Sequence, residues 1–516
     1  MASSYLSPGV YMEEVSSGSR PIEAVGTAVA AFVGFAERGP LHEPVLVTNW
    51  TQFKSTFGDF VEDYYLAHAV YGYFQNGGGV AYVVRVGGAS GNGSGNGQPG
   101  NGQAALPHAE LPAAGSEGRP ALTISARAAD AGDLTVEVAP ASEEGEDTFK
   151  LVVKQHGQPV ETFDNVTTKR GPNNVATVVR QQSKLIVIEE TKGKALAVPK
   201  PGEIALAAPA PSPVVIESKD YVGNSADRTG FGGLEAIDEV TMLCVPDLMA
   251  AYQKGALSEE DVKAVQLAMI AHCELMADRV AILDTPPGLK AEDVKKWRMD
   301  VTGYDSKYAA MYWPWIKVAD PVAGKQVFVP PSGHLAGIWA RNDASRGVHK
   351  APANEVIRGA VTLELNITKG EHDILNPIAV NCIRSFRGQG IRVWGARTLS
   401  SDPEWRYLNV RRLFNYVEKS ILQGTNWVVF EPNDPKLWDS VKRTVTMFLR
   451  RVWRDGALFG QTPAEAFFVK CDEENNPPEN RDAGILTVEI GIAPVKPAEF
   501  VVFRISQFAE GAGLEE

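Results

Sequence analysis

A carboxylate and an imidazole, two groups that cooperate in hydrolytic enzymes, occur in this chain next to a predicted strand end and a predicted helix start. Asp284 ends the apolar run VAILD, which has the pattern of a buried strand, and His334 lies in SGHLAG, which has the pattern of a helix start. A serine hydrolase also needs a nucleophilic serine, because the histidine must take up the serine proton. No segment of the GTSMA kind follows His334. The sequence therefore favours a structural role for both residues.

The resemblance behind this pair is to subtilisin-like proteases. VAILDT resembles their aspartate-bearing strand and SGHLAG their histidine-bearing helix start, so a subtilisin-like hydrolase is kept as an alternative. GNGQPG, at residues 95–100, fits the dinucleotide pattern GxGxxG, but no helix pattern follows it to bind a phosphate. The four cysteines are far apart and form no zinc or disulfide pattern: Cys244, Cys273, Cys382 and Cys471. We predict no catalytic residue, no metal and no cofactor, and hence no enzyme.

Composition and charge narrow the class of protein. A chain of 516 residues with 44% hydrophobic residues exceeds one core and suggests about three domains. The formal net charge of −13 argues against general affinity for nucleic acid or anionic lipid, since both require a basic surface. No apolar run of transmembrane length and no Sec-type signal pattern occurs, so we expect no membrane insertion and a cytosolic start.

The patterns of the host domain predict an α/β layer with a largely parallel sheet. A helix is signalled by Ser258 as its cap, with Asp261 three residues later. Its apolar face is formed by Val262, Val265, Met269, Cys273 and Met276. Apolar runs of strand length, bounded by Gly and Pro, occur at residues 27–40, 79–86, 240–247, 279–288 and 308–318.

A second compact unit is predicted inside this host. Gly, Asn and Ser dominate residues 87–102, which is typical of a flexible linker. Alternating segments then follow, which we interpret as strands of a β-rich domain: ALTISARA, DLTVEVAP, FKLVVKQHG, VATVVRQ and KLIVIEE. A Pro/Ala-rich stretch at residues 196–218 is predicted to be a semi-extended spacer. Two linkers around one unit indicate a domain inserted into a surface loop.

The C-terminal part predicts two amphipathic helices and a terminal β-ribbon. The first helix ends at Gly424 and the second stops at Gly456. Residues 404–454 carry ten basic and five acidic residues, which indicates either a solvated helix face or a docking stripe for an acidic protein. The ribbon is predicted from alternation in GILTVEIGIAP and EFVVFRISQF.

The N-terminal segment GVYMEEV, residues 9–15, has strand character but no nearby hairpin partner. Such a strand either pairs at long range within its own subunit or completes the sheet of another subunit. Because unblunted edge strands promote association, two such chain ends suggest that association is intended. A head-to-tail exchange of strands would build rings or helical filaments. Pairing of both ends inside one subunit is the alternative.

Four long blocks resemble contractile tail sheath proteins, with the likeness strongest to sheaths of extracellular phage-tail-like injection systems. The blocks are SYLSPGVYMEEVSSGSRPIEAVGTAVAAFVGFAERGP (residues 4–40), PPSGHLAGIWARNDASRGVHKAPANEVIRG (330–359), LNPIAVNCIRSFRGQGIRVWGARTLSSDPEWRYLNVRRLFNYVEKSI (375–421) and WVVFEPNDPKLWDSVKRTVTMFLRRVWRDGALFGQTPAEAFFVKC (427–471). The likeness leaves out residues 87 to about 218, so it does not extend to the inserted unit.

This resemblance implies a multidomain α/β and α+β fold. It would contain a subtilisin-like α/β middle domain, an α+β C-terminal domain with terminal strands exchanged between subunits, and the inserted β-rich domain on the outer surface. We place the exchange arm at 1–22, the core at 23–88 and 219–370, the Gly-rich linker at 89–102, the inserted domain at 103–195, the Pro/Ala linker at 196–218 and the C-terminal domain at 371–516.

The resemblance also implies the function, the partners and the contact residues. The chain would be a structural subunit that stacks in six-fold rings around an inner tube protein, contacts baseplate and terminal cap proteins, is assembled in the bacterial cytoplasm, and contracts to drive the tube through a target envelope. A monomeric β/α binding module is the second alternative, after the hydrolase. The predicted strand-exchange residues are Val10, Tyr11, Met12, Glu13, Glu14, Val15, Leu486, Val488, Ile490, Ile492, Val501, Phe503 and Ile505. The predicted tube contacts are Lys436, Lys442, Arg443, Arg450, Arg451 and Arg454.

Overall fold

The computed structural model describes residues 21–87, 108–112, 120–127, 134–143, 145, 147–155, 157–169, 171–189, 198–206 and 216–504. The predicted arm strand at residues 10–15, the Gly-rich linker at 89–102 and Ile505 lie outside these ranges. The chain divides into a larger unit, built from the residues up to Gly87 and from Ile216 onward, and a smaller unit built from Gly88–Val215. Within the described ranges no helix is both long enough and apolar enough to cross a membrane.

The strands and helices alternate through the larger unit, whereas strands dominate the smaller one. Strands of the first host segment are β1 (Val29–Gly34), β2 (Val45–Val47) and β3 (Val80–Arg85). Strands of the smaller unit are β4 (His108–Pro112), β5 (Pro120–Ala126), β6 (Leu134–Pro140), β7 (Thr148–Gln155), β8 (Gln158–Thr167), β9 (Ile186–Glu189) and β10 (Gly202–Ala205). Strands of the second host segment are β11 (Met242–Cys244), β12 (Val280–Asp284), β13 (Ala309–Trp313), β14 (Ile316–Ala319), β15 (Gln326–Val329), β16 (Glu355–Val356), β17 (Ala360–Leu363), β18 (Val380–Phe386), β19 (Gly390–Val393), β20 (Phe467–Lys470) and β21 (Glu489–Ile492). The helices are α1 (Trp50–Phe57), α2 (Leu66–Asn76), α3 (Val175–Gln182), α4 (Ser218–Val222), α5 (Asp247–Gln253), α6 (Glu259–Met276), α7 (Ala291–Lys296), α8 (Ser332–Arg346), α9 (Lys369–Leu375), α10 (Leu408–Gly424), α11 (Pro435–Arg454), α12 (Pro463–Ala466) and α13 (Pro478–Asp482).

A nine-stranded sheet forms the centre of the larger unit, in the order β16-β19-β18-β13-β12-β11-β1-β3-β2. The six strands from β18 to β3 run parallel, and antiparallel strands occupy the edges. All residues of β11, β12 and β13 are buried, which explains why their sequences read as continuous apolar runs. The predicted α/β layer with a largely parallel sheet is therefore confirmed.

Close helix packing covers one face of this sheet. Helices α2 and α8 approach so closely that a Cβ on Gly333 would lie 2.4 Å from the Cα of Ala69. A Cβ on Gly337 would similarly lie 2.4 Å from the carbonyl oxygen of Tyr73. The absence of side chains at these two glycines lets the helix backbones meet, and the beginning of α8 is thereby fixed against α2. The predicted helix after Ser258 is also confirmed as α6, with its capping box to Asp261.

The C-terminal helices enclose a separate core. Helices α10 and α11 bury apolar side chains against each other, among them Leu413, Val417, Val445 and Phe448. Strands β20 and β21 pair antiparallel, with Val469 opposite Ile490, and close one side of this core. Ile22, close to the first described residue, is buried in the same core.

Three structural predictions were wrong. Strands β18 and β19 belong to the central sheet, although the sequence placed them in a C-terminal domain from residue 371, because parallel pairing joins residues too distant for a local pattern to reveal. VATVVRQ was expected to be a strand but forms α3, where the Asn174 side chain accepts the Thr177 amide as a cap. Part of the predicted Pro/Ala spacer is strand β10, which pairs with β6.

The predicted terminal ribbon forms only in part. Its first segment contains β21, but this strand pairs with β20 and not with the second segment. Residues 500–504 form no strand among the described residues, and Phe500, Val501, Val502 and Phe503 are exposed. The local alternation identified strand character correctly but carried no information about the partner.

The smaller unit is β-rich. It contains two antiparallel sheets, in the orders β10-β6-β7-β8 and β4-β5-β9. Both sheets and α3 contribute to one apolar core that includes Ile124, Leu151, Val153 and Val179. Leu134, Val136 and Val138 alternate with half-buried residues along β6, as expected for a strand with one buried face.

Candidate assembly surfaces

Asp284 and His334 do not form a catalytic dyad. The Asp284 carboxylate accepts the backbone amide of Ser332 at 3.0 Å, and burial raises the pKa of Asp284 to about 7. His334 is also buried, and burial lowers its pKa to about 3, so its imidazole is neutral at physiological pH. The His334 ring packs on α2 so tightly that a Cβ on Gly72 would lie 2.3 Å from its Cε1. Both side chains are internal packing groups that join α8 to β12 and α2.

Replacing Asp284 with Asn should stabilise the protein near neutral pH. The carboxyl of Asp284 has a pKa of about 7 in the native state and of 3.8 in the unfolded chain. Between these pH values the native state keeps a proton that the unfolded chain has lost, so the free energy of unfolding falls as pH rises through that window. Asn keeps an acceptor for the Ser332 amide without a buried charge. We expect the free energy of unfolding at pH 8 to rise by about 2–4 kcal/mol, with little change at pH 4.

Chemical denaturation of Asp284→Asn and the parent at both pH values would measure this difference. The exposed Asp300, substituted in the same way, is the matched control and should change nothing. Equal destabilisation of Asp284→Asn at pH 4 and pH 8 would show that the carboxyl charge is not the cause.

An apolar groove lies between α10, α11 and β21, and we call it the C-terminal groove. Its volume is about 740 Å³. It is lined by Ile421, Thr425, Val428, Val429, Phe430, Glu431, Asn433, Leu437, Val441, Val445, Gly484, Leu486, Val488 and Ile490. Three predicted strand-exchange residues, Leu486, Val488 and Ile490, are therefore brought together on its wall, and Ile492 packs on the same core half-buried.

The rim of the C-terminal groove exposes apolar side chains. Val429 is exposed, and Phe430 is fully exposed with a φ of 67°. A bulky residue at positive φ is strained, and an exposed phenyl ring gains nothing from burial within its own subunit. Both features of Phe430 cost the isolated chain free energy, which favours a role in binding.

A free apolar segment accompanies this groove on the same chain. Phe500, Val501, Val502 and Phe503 follow the last strand and are exposed. The described part of the segment makes no hydrogen bond that would attach it to its own subunit. Val501 and Phe503, two further predicted strand-exchange residues, are exposed, and they are not among the residues that line the C-terminal groove.

The basic face of α11 is also exposed. All six predicted tube contacts lie on its solvent side, and within the described chain no salt bridge engages them: Lys436, Lys442, Arg443, Arg450, Arg451 and Arg454. The predicted basic stripe at residues 404–454 was wrong for α10, because Arg411 and Arg412 are buried there. Arg412 pairs with Asp343 and Arg411 contacts Asn415 and Glu418, so these guanidinium groups serve the fold.

The sequence did not predict the exposed apolar residues at the rim of the C-terminal groove. Val429 and Phe430 stand in a short loop before Pro432, where no periodicity distinguishes an exposed apolar residue from a buried one. The only available signal was the apolar run WVVF placed between two helices. Glu499, which directly precedes the exposed segment, gave no signal, since its hydrogen-bond partners precede it by about a hundred residues.

Two family models match adjoining parts of the chain. The model of the phage tail sheath protein central domain matches residues 232–399, and the model of the phage tail sheath C-terminal domain matches residues 400–508. Together they cover more than half of the 516 residues. Their junction follows β19, in agreement with the place of β18 and β19 in the central sheet.

Curated relatives are also tail sheath proteins. The tail sheath protein of Burkholderia phage BcepMu is 25% identical over 525 residues, covering 98% of this chain and 97% of that protein. The tail sheath protein of Vibrio phage KVP40 is 25% identical over 250 residues, covering 46% of this chain and 36% of that protein. A putative prophage major tail sheath protein of Pseudomonas aeruginosa is 29% identical, covering 47% of this chain and 61% of that protein. For several of these relatives, the match thus spans only about a third to three fifths of their length.

Solved structures share the fold along almost the whole chain. The sheath of the extracellular contractile injection system PVC, in its contracted state, superposes with a TM-score of 0.59 at 22% identity and 99% coverage of both chains. The contracted helical sheath of the anti-feeding prophage gives a TM-score of 0.58 at 22% identity, covering 98% of this chain and 99% of that one. The family and these relatives are structural proteins, which confirms the prediction that the chain is not an enzyme. The two matching models and the full-length relative show that the chain belongs to the phage tail sheath protein family.

Proposed function

We propose that this sheath protein polymerises through its chain ends as stacked six-fold rings around an inner tube and contracts to drive that tube through a target envelope. The observation that carries the proposal is the coexistence, on one chain, of an exposed apolar groove and an exposed apolar segment. Exposure of the groove and of the segment each costs free energy in an isolated subunit. The groove lacks an apolar occupant and the segment lacks an apolar surface that would bury it. The occupant of the C-terminal groove would be a terminal segment of a second copy.

Strand exchange fits the hydrogen-bonding capacity of the region. The sheet of β20 and β21 has only two strands among the described residues, so each strand has an outer edge without a ladder partner. Added strands from another copy would satisfy these backbone groups and cover the apolar wall at the same time. Because the donor and acceptor surfaces differ, the contact is head to tail, which generates rings or helical stacks.

The basic face of α11 supports a contact with an acidic inner tube. Six exposed cations on α11, none of which forms a salt bridge among the described residues, create a local positive field on a chain of net charge −13. Exposed charge pairs are weak individually, so such a contact could release the tube during contraction. The baseplate and terminal cap proteins would bind the ends of the same stack, and assembly would take place in the bacterial cytoplasm.

Contraction would require no nucleotide. Exchanged strands survive a sliding movement because their hydrogen bonds join backbones, while the compact bodies shift against each other. The free energy would come from surface buried between bodies in the contracted state, and a kinetic barrier would hold the extended state until the baseplate releases it.

Electron microscopy of the overproduced protein tests this function. Rings or tubes with six-fold symmetry are expected, and a purely monomeric protein at high concentration would support the monomeric binding module instead. Analytical ultracentrifugation across a concentration series should give a threshold for polymerisation.

Replacing Phe430 with Asn should raise that threshold about ten-fold or more. The substitution removes a ring whose burial in an interface contributes about 1.5–3 kcal/mol, and 1.4 kcal/mol corresponds to a factor of ten. The monomer should melt at the same or a slightly higher temperature, because Asn tolerates the positive φ better than Phe. Leu275→Gln, which removes an exposed apolar side chain on α6, is the matched control and should leave the threshold unchanged. An unchanged threshold in Phe430→Asn would exclude the groove rim from the interface.

A further inference from the structure

The carboxylate of Glu499 is held by four hydrogen bonds. Arg397 grips it with two nearly parallel bonds, from Nε to Oε1 at 2.9 Å and from Nη2 to Oε2 at 2.7 Å. The Asn376 amide donates to Oε1 at 2.9 Å, and the Tyr407 hydroxyl donates to Oε2 at 3.1 Å. We call these four residues the Glu499 cluster. Bidentate pairing of this kind fixes orientation as well as contributing energy.

The Glu499 cluster is fastened to the central sheet. Arg397 Nη1 donates to the Asn376 carbonyl at 3.0 Å, and the Arg397 amide donates to Asn381 Oδ1 at 2.7 Å. Asn381 belongs to β18 and donates to the Met311 carbonyl on β13 at 3.1 Å. The side chains of Arg397 and Glu499 are only 10% and 19% exposed, so solvent screens their attraction less than that of a surface pair. Glu499 is thus attached, through Arg397 and Asn381, to the central sheet.

The chain on either side of Glu499 is held much less. Upstream, Val495 is the preceding attachment, where its amide donates to the Ala457 carbonyl at 3.2 Å and its carbonyl accepts from Asn409 at 3.0 Å. Downstream, the described residues 500–504 have no hydrogen bond to the rest of the chain and expose their apolar side chains. Glu499 is therefore the last attachment before the free segment begins.

We propose that the Glu499 cluster anchors the C-terminal arm, by which we mean the chain from Phe500 onward. The cluster would thereby set how much chain is free to reach the second copy that binds the arm. The inference rests on the proposed function, since it assumes that a neighbouring subunit binds the arm. Without the cluster, the arm would gain the residues 496–499 as free chain, about 13 Å when extended. Neighbouring subunits would then be joined by a longer and slacker connection.

The arrangement suits a contact under tension. When bodies slide while their arms stay paired, force passes along the arm to its first attachment on its own subunit. The four bonds of the Glu499 cluster converge on one rigid group and must break together, whereas single backbone bonds would break one at a time. The free length of the arm would thereby stay constant between the extended and contracted assemblies.

Glu499→Ala tests the anchor in full-length protein. The hydrogen-exchange rate of the Glu499 amide, which donates to the Pro497 carbonyl at 3.1 Å, should rise about ten-fold, while the Val495 amide keeps its protection. In the polymer, electron microscopy should show an increased or irregular spacing between rings, or the polymerisation threshold should rise about ten-fold. Glu473→Ala, at an exposed glutamate outside the cluster, is the matched control and should behave as the parent.

Two milder variants keep the proposal testable if Glu499→Ala fails to fold. Glu499→Gln removes the charge but keeps the shape, and Tyr407→Phe removes one of the four bonds; each should show the same changes to a smaller degree. If the parent forms tubes and Glu499→Ala forms tubes with the same spacing and threshold, the anchor is overturned and the proposed function stands. If the parent forms no rings or tubes at all, the proposed function fails and the inference fails with it.

Discussion

Removal of residues 1–20 is expected to abolish rings and tubes while leaving the fold of the subunit intact. The predicted arm strand lies wholly within this segment, and strand addition contributes about 0.5–1.5 kcal/mol per hydrogen bond. Losing several such bonds at every subunit contact should raise the polymerisation threshold by about 100-fold or more. The proposed rings would close through many identical contacts, so the loss would be multiplied through the assembly.

The structure explains why the fold should survive this deletion. Ile22 is buried against α10, so closely that a Cβ on Gly424 would lie 2.7 Å from its Cγ1. The Val25 amide donates to the Ser420 hydroxyl at 3.3 Å, which holds the same segment three residues later. Truncation before residue 21 leaves both contacts in place. The melting temperature of the shortened protein should therefore equal that of the parent.

A variant of unchanged length separates strand pairing from mere shortening. Proline at positions 11 and 13 removes two backbone donors from the arm and is poorly tolerated within a paired strand. Tyr11→Pro with Glu13→Pro should block assembly as the deletion does, whereas proline at positions 17 and 19, beyond the predicted strand, should not. Normal tubes from the truncated protein would show that the arm does not join the subunits.

Local patterns predicted the central sheet well because its strands are short and buried. Every residue of the runs VAILD and AAMYW is buried, as expected for strands of a parallel sheet that is covered on both faces. Helix α6 was equally clear, since Ser258 and Asp261 satisfy the amides of its first turn through a local interaction. In each case the pattern that identifies the element lies within a few consecutive residues or one helical turn.

Features that depend on distant partners could not be predicted in this way. The sequence of β18, VNCIRSF, is neither a continuous apolar run nor a strict alternation, and only its pairing with β13 places it in the central sheet. The C-terminal groove is assembled from residues 421–445 and 484–490, so no single window of sequence contains it. The basic stripe failed at Arg412 for the same reason, because its partner Asp343 is 69 residues away.

Asp343→Ala should lower the free energy of unfolding by about 3–5 kcal/mol, because it leaves a buried guanidinium without its counter-charge. Arg412 donates to both carboxylate oxygens, at 2.9 and 2.5 Å, and each side chain is 4% exposed. Thr27 joins the pair from the start of the central unit, through its hydroxyl to Asp343 at 2.7 Å and its carbonyl to Arg412 at 3.0 Å. The pair therefore links α8, α10 and the N-terminal segment.

A double-mutant cycle would identify the unpaired charge as the cause. Asp343→Ala combined with Arg412→Met should recover much of the lost stability, since an apolar side chain of similar length can pack on Trp339, over which the guanidinium now lies at 4.8 Å. Glu62→Ala, which breaks the exposed pair with Lys325, is the matched control and should leave the melting temperature unchanged. If the double variant is no more stable than Asp343→Ala, packing around the carboxylate, and not the charge of Arg412, accounts for the loss. Because α10 carries part of the wall of the C-terminal groove, a destabilised pair should also loosen the connection between that groove and the central sheet.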